Sequence, residues 1–119
     1  MACGHDFGII DCLEEYTEFE YNPKKYNCTY VEDDLLCEIY DSNFKYKIEE
    51  LDTFVQNTNR PFKSLDHYGI TLIPPTSLNH FLNIILEVNA KYNSKEFEML
   101  IEKISDAIKK NKWMIHYGV

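Results

Sequence analysis

The sequence predicts an α+β fold in which a small mixed sheet packs against a C-terminal antiparallel helical hairpin, forming a two-layer sandwich. Two adjacent segments near the C-terminus have helical periodicity, Asn93 forms a short connection between them, and β-rich segments flank the pair at 68–73 and 113–118. The chain has 119 residues, 45% of them hydrophobic, which predicts a single domain over 1–119.

The N-terminal half carries the weaker patterns. Segments 7–10 and 26–31 are rich in strand-forming residues, and 32–40 has helical spacing. A hairpin across 41–43 is the competing interpretation of the latter region, since strand-forming aromatics flank that turn. A further helix is predicted over 47–58, from the spacing of Ile48, Leu51, Phe54 and Val55.

The C-terminal half is patterned more clearly. Two prolines, Pro74 and Pro75, close the strand at 68–73 and start a helix whose apolar residues cover a wide surface. A second, strongly amphipathic helix is predicted over 94–111, with Ser94 as its N-cap and lysines in its last turn. The two helices form the predicted hairpin.

Charge is distributed unevenly along the chain. Residues 1–60 carry fourteen carboxylates and five Lys or Arg, whereas residues 61–119 carry six and seven, within a net charge of −8. This balance favours a basic protein partner and excludes nucleic acid. No apolar run is longer than three residues, so no membrane partner is expected, and no leader-like segment is recognised, so a cytoplasmic location is expected.

Carboxylates and tyrosines alternate in the first third of the chain. Tyrosine supplies rigid contact area, and carboxylates steer a basic surface into contact, so the combination is typical of a protein-binding surface. The sequence therefore predicts a partner-binding set made of Glu14, Glu15, Tyr16, Glu18, Glu20, Tyr21, Glu32, Asp33 and Asp34.

In size, acidity and lack of catalytic motifs, the chain resembles the small immunity and antitoxin proteins of bacteria that block cationic toxins. The resemblance implies a non-enzymatic inhibitor that occludes a basic partner, with a toxin as the implied target. It is a resemblance of composition and transfers no residue role. Self-association through exposed aromatics is left open as an alternative.

A metal- or thiol-dependent protein is the second functional hypothesis. Cys3, His5 and Cys12 offer thiol and imidazole ligands near the N-terminus, although their spacing is not that of a zinc knuckle, and a metal would need Cys28 or Cys37 brought in by the fold. The four cysteines are expected as reduced, mostly buried thiols. The histidines have no metal-binding spacing along a helix, which favours structural roles, and no cofactor is expected.

Overall fold

The computed structural model describes residues 3–13 and 19–119 and confirms the α+β class. Its sheet has the strand order β2-β1-β6-β5-β3-β4, and every pairing in it is antiparallel, whereas a mixed sheet was predicted. The connection from β5 to β6 consists of two helices, and the two strands pair in opposite directions. The strands are β1 (Gly4–Ile10), β2 (Thr29–Glu32), β3 (Asp52–Val55), β4 (Pro61–Lys63), β5 (Ile70–Ile73) and β6 (Trp113–Tyr117).

The C-terminal helical hairpin is confirmed. The short helix α1 (Asp33–Leu36) comes first, and α2 (Leu78–Tyr92) and α3 (Lys95–Lys110) form the hairpin. The Ser94 hydroxyl caps α3 by accepting a hydrogen bond from the backbone N–H of Phe97 at 3.4 Å. The hairpin crosses one face of the sheet between two neighbouring strands, β5 and β6.

The two faces of the sheet have different coverings. On the inner face, which lies toward α2 and α3, Phe7, Val31 and Met114 join one core with the buried helix residues. On the outer face, Ile70, Ile115 and Tyr117 belong to a second cluster, which partly buried residues of the segment after β1 cover. Alternate residues of each strand therefore point into different layers.

Two predictions of local structure need correction. The helix predicted over 47–58 is wrong, because a 3₁₀ turn at Ile48–Glu50 leads directly into β3, where pairing with β4 and β5 overrides the helical spacing. The hairpin across 41–43 does not form. Segment 32–40 is instead helical, as α1 followed by a 3₁₀ turn at Cys37–Tyr40, and Asp41 then accepts a hydrogen bond from the backbone N–H of Asn43 at 2.9 Å.

The prediction of mostly buried cysteines is also wrong. All four are free thiols, but Cys3, Cys12 and Cys37 are exposed and Cys28 is half-buried. Cys3 and Cys12 lie just outside the two ends of β1, where the sheet no longer covers them. Within residues 3–13 and 19–119, no helix has the length and apolar character needed to cross a membrane.

Candidate metal centre

Three of the four histidines converge at one end of the inner face. His5 on β1 lies two residues from Phe7, and His116 on β6 lies two residues from Met114, so both histidines share the face of the sheet that points toward the helices. Their rings stack with centroids 5.0 Å apart, and His5 Nδ1 lies 2.8 Å from His116 Nε2. On the neighbouring strand β5, the Thr71 hydroxyl lies 3.2 Å from His116 Nδ1.

A carboxylate and a third imidazole complete the cluster. Asp33 is the first residue of α1, and its backbone N–H donates to the Cys3 carbonyl at 3.0 Å, which holds it beside β1. Its Oδ1 lies 2.8 Å from His5 Nε2 and 2.9 Å from His67 Nε2. His67 belongs to the turn before β5, and its carbonyl accepts from the Val119 N–H at 3.0 Å.

The hydrogen bonds of this cluster form a chain in which every donor points the same way, from Thr71 through His116 and His5 to Asp33. The Thr71 hydroxyl oxygen accepts from the Asp66 backbone N–H at 2.8 Å and donates its own proton to His116 Nδ1. His116 Nε2–H then donates to His5 Nδ1, and His5 Nε2–H donates to Asp33. In this arrangement the imidazoles of His5 and His116 are neutral, and the carboxylate of Asp33 carries the charge.

Electrostatics favour these protonation states. Burial lowers the pKa of His5, and the nearby His67 lowers it further against the opposing effect of Asp33. Complete burial, with His5 and His67 as neighbours, holds the pKa of His116 well below its ordinary value. The hydrogen bond from His5 lowers the pKa of Asp33. Neutral imidazole and ionised carboxylate are the forms that bind a metal ion.

The geometry fits a divalent transition metal. One ligand atom each from His5, Asp33 and His67 lies within 4.8 Å of the other two. A tetrahedral ion with ligands at the usual zinc distances separates neighbouring ligand atoms by about 3.4 Å. The two contacts to Asp33 would widen by about half an ångström, and the imidazole nitrogens of His5 and His67, which lie within 4.8 Å of each other, would adjust to the same separation. Each imidazole would give up the proton on the nitrogen that now faces the carboxylate.

The site is open on one side. The His5 side chain is 1% exposed, whereas the side chains of Asp33 and His67 are each 28% exposed. Three protein ligands leave a coordination position for water, as in catalytic zinc sites and in the two-histidine, one-carboxylate sites that hold iron(II). The exposed carboxylates of Glu32 and Asp34 flank Asp33 in sequence and add negative charge around an incoming cation.

The predicted ligand set is only partly brought together. His5 lies in the cluster, but Cys3 and Cys12 are separated by the whole of β1, a strand of about 23 Å. A metal at this ligand set would also need Cys28 or Cys37, and of these Cys28 packs with the outer-face cluster, whereas Cys37 Sγ lies 3.9 Å from Asp33 Oδ1. The sequence predicts structural roles for all four histidines. His80 lies outside the cluster, and its Nε2 lies 2.9 Å from the Lys47 carbonyl oxygen.

The sequence did not predict that Asp33, His67 and His116 would join His5 in one cluster. The available signal was alternation: His5 with Phe7, and His116 with Met114, occupy the positions of buried residues in strands. Such a pattern places each histidine on an inner face. It does not say that the two strands are neighbours, because 111 positions separate the residues.

The predicted partner-binding residues have separate locations. Glu14, Glu15, Tyr16 and Glu18 lie outside the described residues. Glu20 and Tyr21 are exposed on the outer side of the sheet, where the Tyr21 hydroxyl donates to the Gly118 carbonyl at 2.8 Å. Glu32 ends β2, Asp34 is exposed at the start of α1, and Asp33 accepts the two histidine hydrogen bonds.

Comparison of the chain with protein-family models, with curated proteins and with solved structures gave no match.

Proposed function

We propose that this protein binds a divalent transition-metal ion, zinc being the first candidate, through His5, Asp33 and His67. The observation that carries the proposal is the convergence of two imidazole nitrogens on one carboxylate oxygen, at 2.8 and 2.9 Å. Zinc accepts nitrogen and carboxylate ligands in this combination. Cobalt(II) and iron(II) are the alternatives that the same ligands suit.

The surroundings of the ligands support metal binding over a purely structural role. A metal-bound histidine typically uses its second ring nitrogen in a hydrogen bond that fixes the ring orientation. His5 has such a partner in His116, and His116 has Thr71 in turn. A bound ion at His5 Nε2 would reverse this chain, since His5 Nδ1–H would then donate to His116 and His116 Nδ1–H to Thr71.

The reversal has a useful consequence for proton balance. The protons on His5 and His116 move to the opposite ring nitrogens. Because Asp33 is already ionised and these two imidazoles are already neutral, the rearrangement of His5, His116 and Asp33 releases no proton at neutral pH. Metal binding is therefore expected to release few protons, which sets it apart from thiolate sites, whose thiols must ionise.

A cytoplasmic location is part of the same proposal. The four free thiols support it, because a reducing compartment keeps cysteines in this form.

The direct test is titration of metal-free protein with zinc, followed by calorimetry in two buffers of different protonation enthalpy. We expect one ion per chain and nearly equal heats in both buffers. Asp33→Asn and His67→Asn remove ligands at positions open to solvent, so both variants should stay folded, and each should weaken binding by about a hundredfold or more. Circular dichroism checks the fold of every variant.

Two controls make the test specific. His80→Gln removes an imidazole outside the cluster, and the double variant Cys3→Ser with Cys12→Ser removes the two thiols of the sequence-based ligand set. Both are expected to bind zinc like the natural sequence. No stoichiometric binding, or an equal loss of affinity in the His80 variant, would overturn the proposal. A loss confined to the cysteine variant would move the site to the thiols.

A further inference from the structure

A second feature, separate from the histidine cluster, covers one end of the outer face of the sheet. Acidic residues and exposed tyrosines lie together there. We call this surface the outer patch. It comprises Asp6, Glu20, Tyr21, Tyr30, Glu32 and Tyr68.

Strand register places part of the outer patch across neighbouring strands. Val31 and Phe7 point into the inner core, so Tyr30, Glu32 and Asp6, which alternate with them, point outward. Asp6 lies opposite Tyr30 on β2 and opposite Tyr117 on β6. Because adjacent strands are about 4.8 Å apart, these residues form a continuous row.

The row depends on a glycine. Gly4 lies on β1 opposite Glu32, and a Cβ atom at this position would overlap the ring of Tyr30. The absence of a side chain therefore lets the Tyr30 ring lie across β1. The ring remains 40% exposed in that position.

Two further tyrosines are held in place by their own contacts. The Tyr21 hydroxyl donates to the Gly118 carbonyl at 2.8 Å, and its ring meets the edge of Tyr117 at 5.2 Å, yet the residue is 56% exposed. Tyr68 packs against the His67 ring at 4.8 Å and is 78% exposed. Fixed aromatic side chains lose little conformational entropy when a partner binds.

A groove of about 520 Å³ has Tyr21 and Tyr68 in its lining, together with Glu20 and the strand residue Ile70. A carboxylate beside aromatic rings is the chemistry that receives a lysine or arginine side chain, through charge and cation–π attraction together. Gln56 also lines the groove, and its Oε1 accepts a hydrogen bond from the Arg60 guanidinium at 2.9 Å.

The carboxylates of the outer patch are available to a partner. Over residues 3–13 and 19–119, no lysine or arginine forms an ion pair with Asp6, Glu20 or Glu32. Elsewhere the carboxylates of Asp11 and Asp41 are paired with Lys112 and Lys91, at 2.8 and 3.7 Å. Exposed carboxylates elsewhere, such as Asp34 and Glu49, also form no ion pair with a described lysine or arginine, so what distinguishes the outer patch is that its carboxylates lie beside exposed tyrosines.

We propose that the outer patch binds a basic segment of a protein partner, with an arginine or lysine side chain seated between Tyr21 and Tyr68 against Glu20. Asp6 and Glu32 attract further cations along the row. The outer patch uses side chains other than the proposed metal ligands, although the two sites adjoin where the ring of Tyr68 packs against His67 and where Glu32 precedes Asp33.

The test uses a capped hexa-arginine peptide and a hexa-glutamate peptide of the same length, added to isotopically labelled protein. With the basic peptide we expect saturable shifts of the backbone amides of Glu20, Tyr21, Gly69 and Ile70, and none with the acidic peptide. Affinity should fall as salt rises, since solvent-exposed charge attraction is screened.

Matched variants separate the outer patch from general acidity. Tyr68→Ala and Glu20→Gln should each weaken binding of the basic peptide by about threefold to tenfold. Tyr92→Ala and Glu98→Gln remove the same residue types from α2 and α3 on the other side of the sheet, and should leave the affinity unchanged. Because Tyr68 is 78% exposed, its replacement by alanine should leave the protein folded.

Three outcomes would overturn the proposal. One is a set of shifts spread evenly over all acidic residues, which indicates non-specific attraction. Another is equal weakening by the Tyr68 and Tyr92 variants. The third is a concentration-dependent shift of the same amides without peptide, which would assign the outer patch to a second copy of this chain.

Discussion

His116 is fully buried, and both of its ring nitrogens have polar neighbours, His5 on one side and Thr71 on the other. It does not belong to the proposed ligand set. Its contribution is to fix the orientation of His5, because His5 Nδ1 has no other hydrogen-bond partner among the described residues.

Removing the ring nitrogens of His116 should therefore weaken metal binding without removing a ligand. We expect His116→Phe to lower zinc affinity by about 10-fold to 100-fold, the range typical of partners that orient metal-bound histidines. Zinc titration by calorimetry measures the effect. An unchanged affinity in a variant that folds normally would show that His5 needs no such support.

Stability should depend on pH through the same residue. The pKa of folded His116 is well below 6.5, its value in the unfolded chain, so the unfolded state binds the additional proton first as pH falls. The contribution of neutral His116 to stability is therefore complete above pH 6.5 and is lost progressively as the pH falls below 6.5. One such histidine costs about 1 kcal/mol of unfolding free energy over the first pH unit below 6.5.

Urea denaturation of metal-free protein at a series of pH values, with chelator present, measures this loss. His116→Phe should flatten the dependence in this window, whereas His80→Gln should keep it. A natural protein whose stability does not change across the window would contradict a neutral, buried His116.

Among the elements, the helical hairpin shows how much local sequence could establish. Ser94 and the 3.6-residue spacing predict α3 to within a residue or two of its ends, because cap, apolar stripe and charged termini all agree. Segment 47–58 failed for the opposite reason. Its few apolar residues fit helical spacing, but the pairing of β3 with two other strands decides its structure.

The hairpin also depends on one backbone conformation. Asn93 has φ of 49°, in the left-handed region, and its N–H donates to the Asn89 carbonyl at 2.7 Å. Asparagine tolerates this region, whereas a β-branched residue does not. We expect Asn93→Val to destabilise the protein by about 1 to 2 kcal/mol, measured by urea denaturation. Asn93→Gly is the control and should cost nothing or stabilise slightly.

For the molecule as a whole, the sequence predicts the packing of helices on a sheet better than it predicts which strands are adjacent in that sheet. The α+β class and the packing of a hairpin on a sheet follow from periodicity, which is local. The histidine cluster does not, because it joins residues 5, 33, 67 and 116 from four separate segments. Only strand order brings them together, and a single sequence carries no direct signal for that order.

The uneven charge is a property of the whole molecule. The sequence gives the number of carboxylates in each half correctly, but it does not show where they lie in the folded structure. Some N-terminal carboxylates are neutralised by lysines of later elements, as Asp11 is by Lys112. Others, such as Asp33, are used inside the fold. Others remain exposed and without an ion pair to any described lysine or arginine, among them Glu20 and Glu32 of the outer patch and Asp34 at the start of α1, and no count along the chain distinguishes these groups.

The pairing of β1 with β6 governs how this molecule can acquire its structure. These two strands are adjacent in the middle of the sheet, although over a hundred residues of chain separate them. During synthesis β1 cannot pair with β6 until the more than one hundred residues between their paired positions have been made, and contacts between such distant residues slow folding. His5 meets His116 only when β1 pairs with β6, so a chain that lacks β6 also lacks the assembled cluster. Metal binding by the cluster would therefore report that these two strands have paired.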